Sequence, residues 1–330
     1  MWSETIKPSL ITIENFLHNQ CENEVERDIF SNLSLPQKKI SSTFFYDKKG
    51  SKLFEDITLL PEYYLTRTEI PLIKKAATYL KEELSDMNII EFGSGDCTKI
   101  SLLLDVIPED SRSSICYTPF DVSSTAVQES CTLLLEKYNG LNIHGVIADF
   151  MSQLDVIKEK QNKLLCFLGS TIGNFSREES KRFVYDLQAI MHAKDRLLIG
   201  FDMVKDNVIL EQAYNDSQQV TALFNKNILN VVNRIVETDF NPDNFDHIAF
   251  FNEEHSRIEM HLRSRVHQTI HSPLLSEPIS IKKDEMIHTE NSHKFTKDHI
   301  VQLAESAQLD IEQWFSDDKK WFSLVLFRKP

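Results

Sequence analysis

Residues suited to holding a nucleotide-like ligand recur through the middle of the chain. Asn88–Lys99, NIIEFGSGDCTK, leads Ile89 and Ile90 through Glu91 and Phe92 into Gly93-Ser94-Gly95. An apolar run that breaks on glycines before a helix-compatible segment is the pattern of the first strand and turn of an α/β nucleotide unit. Glycine lets backbone approach a ligand closely, and a helix opening after it offers free N–H groups. G-x-G by itself also reads as a tight turn. Asp121 closes the next strand candidate, Ile115–Phe120. It follows Gly95 by roughly 26 residues, near the ~20 expected of a ribose-binding carboxylate. Asp149-Phe150 closes a third candidate, Ile143–Ala148. An acid beside an aromatic can hold an adenine by edge and by face, and a helix N-cap is the other use of Asp149. Leu164–Leu168 runs into Gly169-Ser170-Thr171-Ile172-Gly173-Asn174-Phe175, and Leu197–Phe201 ends at Asp202.

Positioning these groups requires strands that alternate with helices, hence a parallel sheet whose functional loops gather at strand C-termini. Helices are expected over 69–84, over 97–106 and after Ser123 or Ser124, with Val127, Leu133 and Leu134 as the apolar face of the last. Ile311–Trp314 and Trp321–Phe327 bracket the charged turn Ser316–Lys320. Two such strands would complete a seven-stranded sheet with a terminal hairpin, an ending common to methyltransferase versions of the fold and not to dehydrogenase versions. Elsewhere the pattern differs. Residues 1–35 carry helical periodicity (Ile13, Phe16, Leu17) and suggest a peripheral helical layer. Residues 41–70 are dense in aromatics, with Asp47–Gly50 as a turn signal and Pro61 as a breaker. They suit either a core-packing hairpin of helices or a lid over a small ligand. Residues 207–237 read as helix up to Asn241-Pro242. Residues 246–290 alternate as antiparallel strands do, Ile258, Met260 and Leu262 against Glu259, His261 and Arg263. The expected division is a nucleotide domain over 69–202 and 295–330, with a second domain over 1–68 and 203–294.

Composition bounds the function. A net charge of −14 argues against nucleic acid and against an anionic membrane surface, whose binding rests on positive charge. No apolar run approaches the ~18 residues of a membrane helix. The first residues lack the basic start and apolar core of a signal peptide. Five cysteines without C-x-x-C read as reduced thiols of a cytoplasmic protein. His247, His255, His261, His267 and His271 fall close in sequence, but His267 and His271 lie in a strand pattern, where i and i+4 are over ~13 Å apart. No metal site is expected, and no G-x-S-x-G elbow is present for a Ser-His-Asp arrangement.

Taken in order, FFYDKKGSKLFEDITLLPEYYLTRTE, EFGSGDCTK, PFDVS, ADF, FLGSTIGNF, DMVKD, AYNDSQQVTALFNKNIL, FDHIAFFNEEHSRIEMHLRS and TENSHKF resemble the histidine Nα-methyltransferases of ergothioneine biosynthesis. The resemblance covers nearly the whole chain from about residue 41. FLGSTIGN and RIEMHLRS are far more specific than the glycine turn. It implies a class I methyltransferase domain, α/β and Rossmann-like, with a second α+β substrate domain, and S-adenosylmethionine as cofactor. On the cofactor side it implies Gly93, Gly95, Lys99, Asp121 for the ribose, Asp149 for the adenine amine, and Phe150. On the substrate side it implies Tyr46, Phe54, Tyr63, Gly169, Asn174, Tyr214, Met260, Glu290 and Ser292. Asn174 and Tyr214 would hold the amino acid's backbone groups, and Glu290, Ser292 and Tyr63 its imidazole. The pattern departs at Gln218-Gln219, where the family tends to small residues and glycine, and at Phe92, where it often has leucine.

The implied reaction is Nα-trimethylation of L-histidine to hercynine. No histidine lies in the amine motifs to serve as base. The expected device is selection of the neutral amine by Asn174 and a carbonyl such as that of Gly169, with Tyr46 acting through water. Methylation of a tryptophan derivative is the alternative within the class, and an inactive nucleotide sensor the alternative outside it. The expected partner is a small molecule, with neither nucleic acid nor membrane. Oligomeric state is not written in these residues, and a monomer is the working expectation.

Overall fold

A computed structural model describes residues 11–17 and 22–330. Cys21 and the start of the N-terminal segment lie outside the described residues. The chain divides into two compact units.

The first unit comprises Leu65–Val204, Lys294–Pro330 and an N-terminal strand. Its strands are β1 (Ile11–Asn15), β2 (Asn88–Phe92), β3 (Cys116–Asp121), β4 (Asn142–Ile147), β5 (Lys163–Phe167), β6 (Arg196–Asp202), β12 (Asp310–Ser316) and β13 (Phe322–Arg328). They form one sheet in the order β1-β4-β3-β2-β5-β6-β13-β12. All neighbours up to β6 are parallel, and β13 and β12 return antiparallel as the terminal hairpin. Helices α3 (Tyr64–Leu84), α4 (Thr98–Leu104), α5 (Ser124–Lys137), α6 (Arg177–Ile190) and α9 (Lys297–Ser306) belong with it. The central strands are buried almost throughout, as a parallel sheet covered on both faces requires. The strand order reverses direction between β2 and β5. Ligands of open α/β sheets bind beyond the strand ends at that switch point, and both the glycine turn after β2 and the 169–174 loop after β5 lie there.

The expected seven strands are therefore eight. The extra one is β1, which pairs in parallel with β4, Ile11 opposite Ile143 and Asn15 opposite Ile147. Ile13 sits in this edge strand and not in a helical layer, and the helix of that region, α1 (Glu22–Ser34), begins later. Ser123 is the N-cap of α5, its hydroxyl accepting the Ala126 N–H.

The second unit holds Lys205–His293 and the helices between 22 and 64. Strands β7 (Phe245–Asn252), β8 (Arg257–Ser264) and β11 (Met286–His293) make an antiparallel sheet in the order β11-β8-β7, and β9 (Gln268–Ile270) pairs with β10 (Ile279–Ile281). Helices α1, α2 (Lys48–Thr58), α7 (Asn207–Gln212) and α8 (Val220–Val236) complete it. Asp47–Gly50, expected as a turn, starts α2: the Asp47 carboxylate accepts the Gly50 N–H at 2.8 Å. Gly50 is required there, since a Cβ would stand 1.7 Å from the Phe45 carbonyl oxygen. Gln219, at the position where the family resemblance implies glycine or a small residue, begins α8 in the left-handed region at φ +60°. Such backbone costs a residue with a Cβ about 1–2 kcal/mol, which is the physical reason for glycine at that position.

Candidate functional site

Gly93 leaves β2 at φ +76°, a conformation that favours glycine. A Cβ added at Gly93 or Gly95 would meet no atom within 4 Å, so the space above the turn is open to a ligand. Asp96 accepts the Thr98 N–H at 3.0 Å just ahead of α4, whose N-cap is Cys97. Ser94 lies within the turn, buried, and its Oγ has no hydrogen-bond partner among the described residues. At the tip of β3 the Asp121 Oδ1 accepts the Ser123 N–H at 2.8 Å. Burial pushes the Asp121 carboxyl up to about 6, against the opposing pull of backbone N–H groups of Ser123, Val122 and Ser94.

The Asp149 carboxylate has a local structural use. Its Oδ1 accepts the Met151 N–H at 2.9 Å and its Oδ2 the Ser152 hydroxyl at 2.8 Å, so it organises the turn after β4. Each oxygen keeps a second lone pair. Phe150 packs among Phe92, Phe120, Phe167, Phe175 and Phe183, with centroids 5.7–6.4 Å away. Phe92, the departure from leucine, is one wall of that cluster.

Two acids that the motif reading passed over face this region. Glu91 is buried in β2 and accepts the Tyr117 hydroxyl at 2.6 Å; burial raises its carboxyl to about 7. An acid inside an otherwise apolar strand was its signal. Glu69, on α3, is fully buried. Its Oε2 stands 2.9 Å from the Lys99 Nζ, and its Oε1 accepts the Gly169 N–H at 2.6 Å. Gly169 is left-handed at φ +76° and Ser170 at +57°. The Ser170 Oγ accepts the Asp202 N–H at 2.8 Å, and the Asp202 carboxylate is paired with Lys294 at 2.8 Å, both fully buried. The loop that ends in the 3-10 turn Thr171–Asn174 is thus pinned from β6 and from α3.

In the second unit the aromatics form a chain. Tyr46 lies 5.9 Å from Phe54, Phe54 lies 6.3 Å from Tyr63, and Tyr63 lies 6.4 Å from Tyr214, all in edge-on contact. Tyr214 donates its hydroxyl to the Ser292 Oγ at 2.8 Å, so a residue expected at the amino-acid backbone and one expected at the ring share a hydrogen bond. Glu290 and Ser292 stand two apart on β11 with no irregularity between them, on one face of the strand. Both are nearly buried, 8% and 5% exposed, and Glu290 pairs across the sheet with the buried Met260.

A polar layer that the sequence did not announce supports this wall. A β-bulge between His288 and Glu290 turns Thr289 inward, its hydroxyl 2.8 Å from the Asn225 Oδ1 and 3.0 Å from the Met260 carbonyl. Asn225 also reaches the His247 Nδ1 at 2.8 Å, and the His247 Nε2 lies 2.8 Å from the Tyr214 carbonyl. With an amide donor on one side and a carbonyl on the other, His247 is the neutral Nε2–H tautomer, and burial lowers its pKa in the same sense. Among the described residues no group of three or more His, Cys, Asp or Glu could hold a metal ion.

The structure thus gathers Gly93, Gly95, Lys99, Asp121, Asp149, Phe150, Gly169 and Asn174 on the first unit, and Tyr46, Phe54, Tyr63, Tyr214, Met260, Glu290 and Ser292 on the second. The profile of a family described as histidine-specific methyltransferase, SAM-dependent, matches residues 25–329. The chain is similar to a protein named histidine N-alpha-methyltransferase from Mycobacterium tuberculosis (strain CDC 1551 / Oshkosh), 36% identical over 92% of this chain and 95% of the relative. It is similar to one of the same name from Mycolicibacterium smegmatis, 35% identical over 96% and 98%. It also resembles ergothioneine biosynthesis protein 1 of Neurospora crassa, 29% identical over 84% of this chain and 32% of that one.

Proposed function

Because the chain belongs to the family of histidine-specific, S-adenosylmethionine-dependent methyltransferases, we propose that it methylates the α-amine of L-histidine three times, giving hercynine for ergothioneine synthesis. One observation carries the substrate: a nearly buried carboxylate and hydroxyl, Glu290 and Ser292, on one strand face beside the Tyr214 hydroxyl. Imidazole presents one donor and one acceptor, and an acid beside hydroxyls answers both. An indole offers a single N–H and leaves one of those groups unpaired.

The first unit fits the cofactor. The open cradle over Gly93 and Gly95, the buried Ser94 hydroxyl and the Asp121 carboxylate suit a polar nucleoside lying against backbone. When bound, S-adenosylmethionine supplies a sulfonium methyl already activated for in-line displacement. In this reading Asp121 takes the ribose hydroxyls with lone pairs not spent on backbone N–H groups. Lys99 meets the carboxylate end and Phe150 borders the adenine. Asp149 reaches the adenine amine with lone pairs not spent on its own turn.

The chain's remaining work is to present a neutral amine in line with that methyl, about 3 Å away. Asn174 and the Gly169 carbonyl orient the amine lone pair. Tyr46 acts through water to take the proton released. Tyr63, Glu290 and Ser292 fix the ring, and Tyr214 the amino-acid backbone. Uncharged groups around the amine suit a product that gains bulk and permanent positive charge over three transfers. A closely paired carboxylate would trap that cation.

We place the reaction in the cytoplasm, where free thiols persist: the four described cysteines are unpaired. Incubation with S-adenosylmethionine and either histidine or tryptophan, followed by mass spectrometry, tests the reading. Up to three methyl additions on histidine are expected. Methylation of tryptophan alone, or of neither, would overturn it.

A further inference from the structure

We propose that Glu69 is a positioning residue that ties the lysine of the cofactor site to the loop that presents the amine. The inference rests on the function proposed above and adds to it a residue to which the resemblance assigns no role. Glu69 is a charged residue in the second turn of α3, fully buried, beside the loop that leaves the C-terminal end of β5. Burial of a carboxylate is expensive unless it is paired and hydrogen-bonded. Each of its oxygens has a separate employer: Oε2 faces the Lys99 Nζ at 2.9 Å and Oε1 accepts the Gly169 N–H at 2.6 Å.

Neighbouring glycines are arranged around this carboxylate. A Cβ on Gly200 of β6 would stand 2.6 Å from the Glu69 Oε1. A Cβ on Gly169 would stand 2.8 Å from the Lys99 Nζ. One carboxylate therefore joins α4, just after the glycine turn, to the loop after β5, in space that Gly200 of β6 leaves open. Lys99 is not sealed in, since its side chain keeps 23% exposure. An ammonium has three donors, and the ion pair with Glu69 leaves donors for an anionic ligand group. Gly169, anchored at φ +76° by its N–H, sets the course of the chain toward Asn174. Moving the lysine toward a cofactor carboxylate pulls on the same carboxylate that fixes the amine loop. Cofactor occupancy and amine placement are coupled through Glu69.

Two measurements test this. Glu69→Gln keeps the shape and an acceptor for Gly169 but removes the charge, and the partly exposed Lys99 can turn to water. It is expected to lower kcat for histidine about 100-fold, as small misplacements of reacting groups do. It is also expected to weaken S-adenosylhomocysteine about tenfold, with the melting temperature nearly unchanged. A folded variant with wild-type kinetics and affinity would overturn the proposal.

The second measurement uses the wild-type chain and stands whether or not that variant folds. Leu168-Gly169 is the only Leu-Gly pair in the sequence, so carbonyl-labelled leucine with nitrogen-labelled glycine selects the Gly169 amide alone in NMR. Its proton is expected far downfield, as for a short bond to a carboxylate, and to shift on addition of S-adenosylhomocysteine. A Gly169 amide indifferent to S-adenosylhomocysteine would also overturn the proposal. Failure of wild-type enzyme to methylate histidine would instead fault the function, and the amide shift would still report the coupling.

Discussion

Replacing Asp121 by alanine removes the acid at the tip of β3. Its Oδ1 accepts the Ser123 N–H at 2.8 Å, and a carboxylate has about four acceptor sites, so lone pairs remain for a ligand. Hydrogen bonds to a charged group contribute about 1.5–3 kcal/mol, so cofactor affinity should fall by about 10–150-fold. The pH dependence gives a second signature. Burial raises the Asp121 carboxyl to about 6, so in the free protein near that pH it is partly protonated. Ribose hydroxyls donate and favour the carboxylate, so binding lowers the pKa and expels protons. Affinity should rise from pH 5 to 7 and then level off. Calorimetry at pH 6 in two buffers of different ionisation enthalpy should show a buffer-dependent heat, reduced in Asp121→Ala. The sign for stability is opposite: the raised pKa means the charged form is disfavoured by folding. Its contribution is complete at pH below the ordinary carboxylate value and is lost as pH rises through about 6. A folded Asp121→Ala protein with wild-type affinity and wild-type proton release would refute the ribose assignment.

Asn174→Ala should cut turnover while leaving melting temperature and cofactor affinity nearly intact; unfolding on thermal denaturation would make the loop's role structural. Lys163 and Asp195 form a fully buried pair at 2.7 Å. Lys163→Met leaves the acid uncompensated and should destabilise the protein by about 3–5 kcal/mol in urea titration, with kcat per folded molecule preserved. A shift of under about 1 kcal/mol would contradict the burial argument for that pair.

The sequence carried the parts of this molecule that are local. The run into Gly93, the acid ending each of β3 and β6, and the alternation of β8 are patterns of adjacent residues, and the sheet follows from them. The terminal hairpin was legible because β12 and β13 flank a charged turn. What it hid depends on distant partners. β1 is five residues long with Ile11 and Ile13 on its exposed edge, and only its pairing with β4 makes it a strand. Asp47 reads as a turn until Gly50 is seen folded under Phe45. Glu69 looks like one more charge on an amphipathic helix, because nothing near it in sequence shows that Gly200 leaves room for its carboxylate. The histidines of 246–290 suggested a cluster, yet His247 is committed to Asn225 and to the Tyr214 carbonyl. Asp149 was legible as an adenine acid or a helix N-cap; it caps no helix, and its bonds to Met151 and Ser152 close a turn after β4 instead.

The imidazole pocket is the central claim, and kcat/KM for histidine, tryptophan and phenylalanine, in wild type and in Glu290→Ala, tests it most directly. A site that hydrogen-bonds its substrate rejects an analogue lacking the partner by about 10⁴-fold or more, because buried polar groups are left unpaired. Wild type should methylate histidine and almost wholly fail on phenylalanine. Glu290→Ala should lose the histidine activity and gain weak activity on tryptophan, since a nearly buried acid is replaced by space. A wild-type preference for tryptophan, or a histidine kcat/KM untouched by Glu290→Ala, would contradict the pocket and leave only the methyltransferase fold.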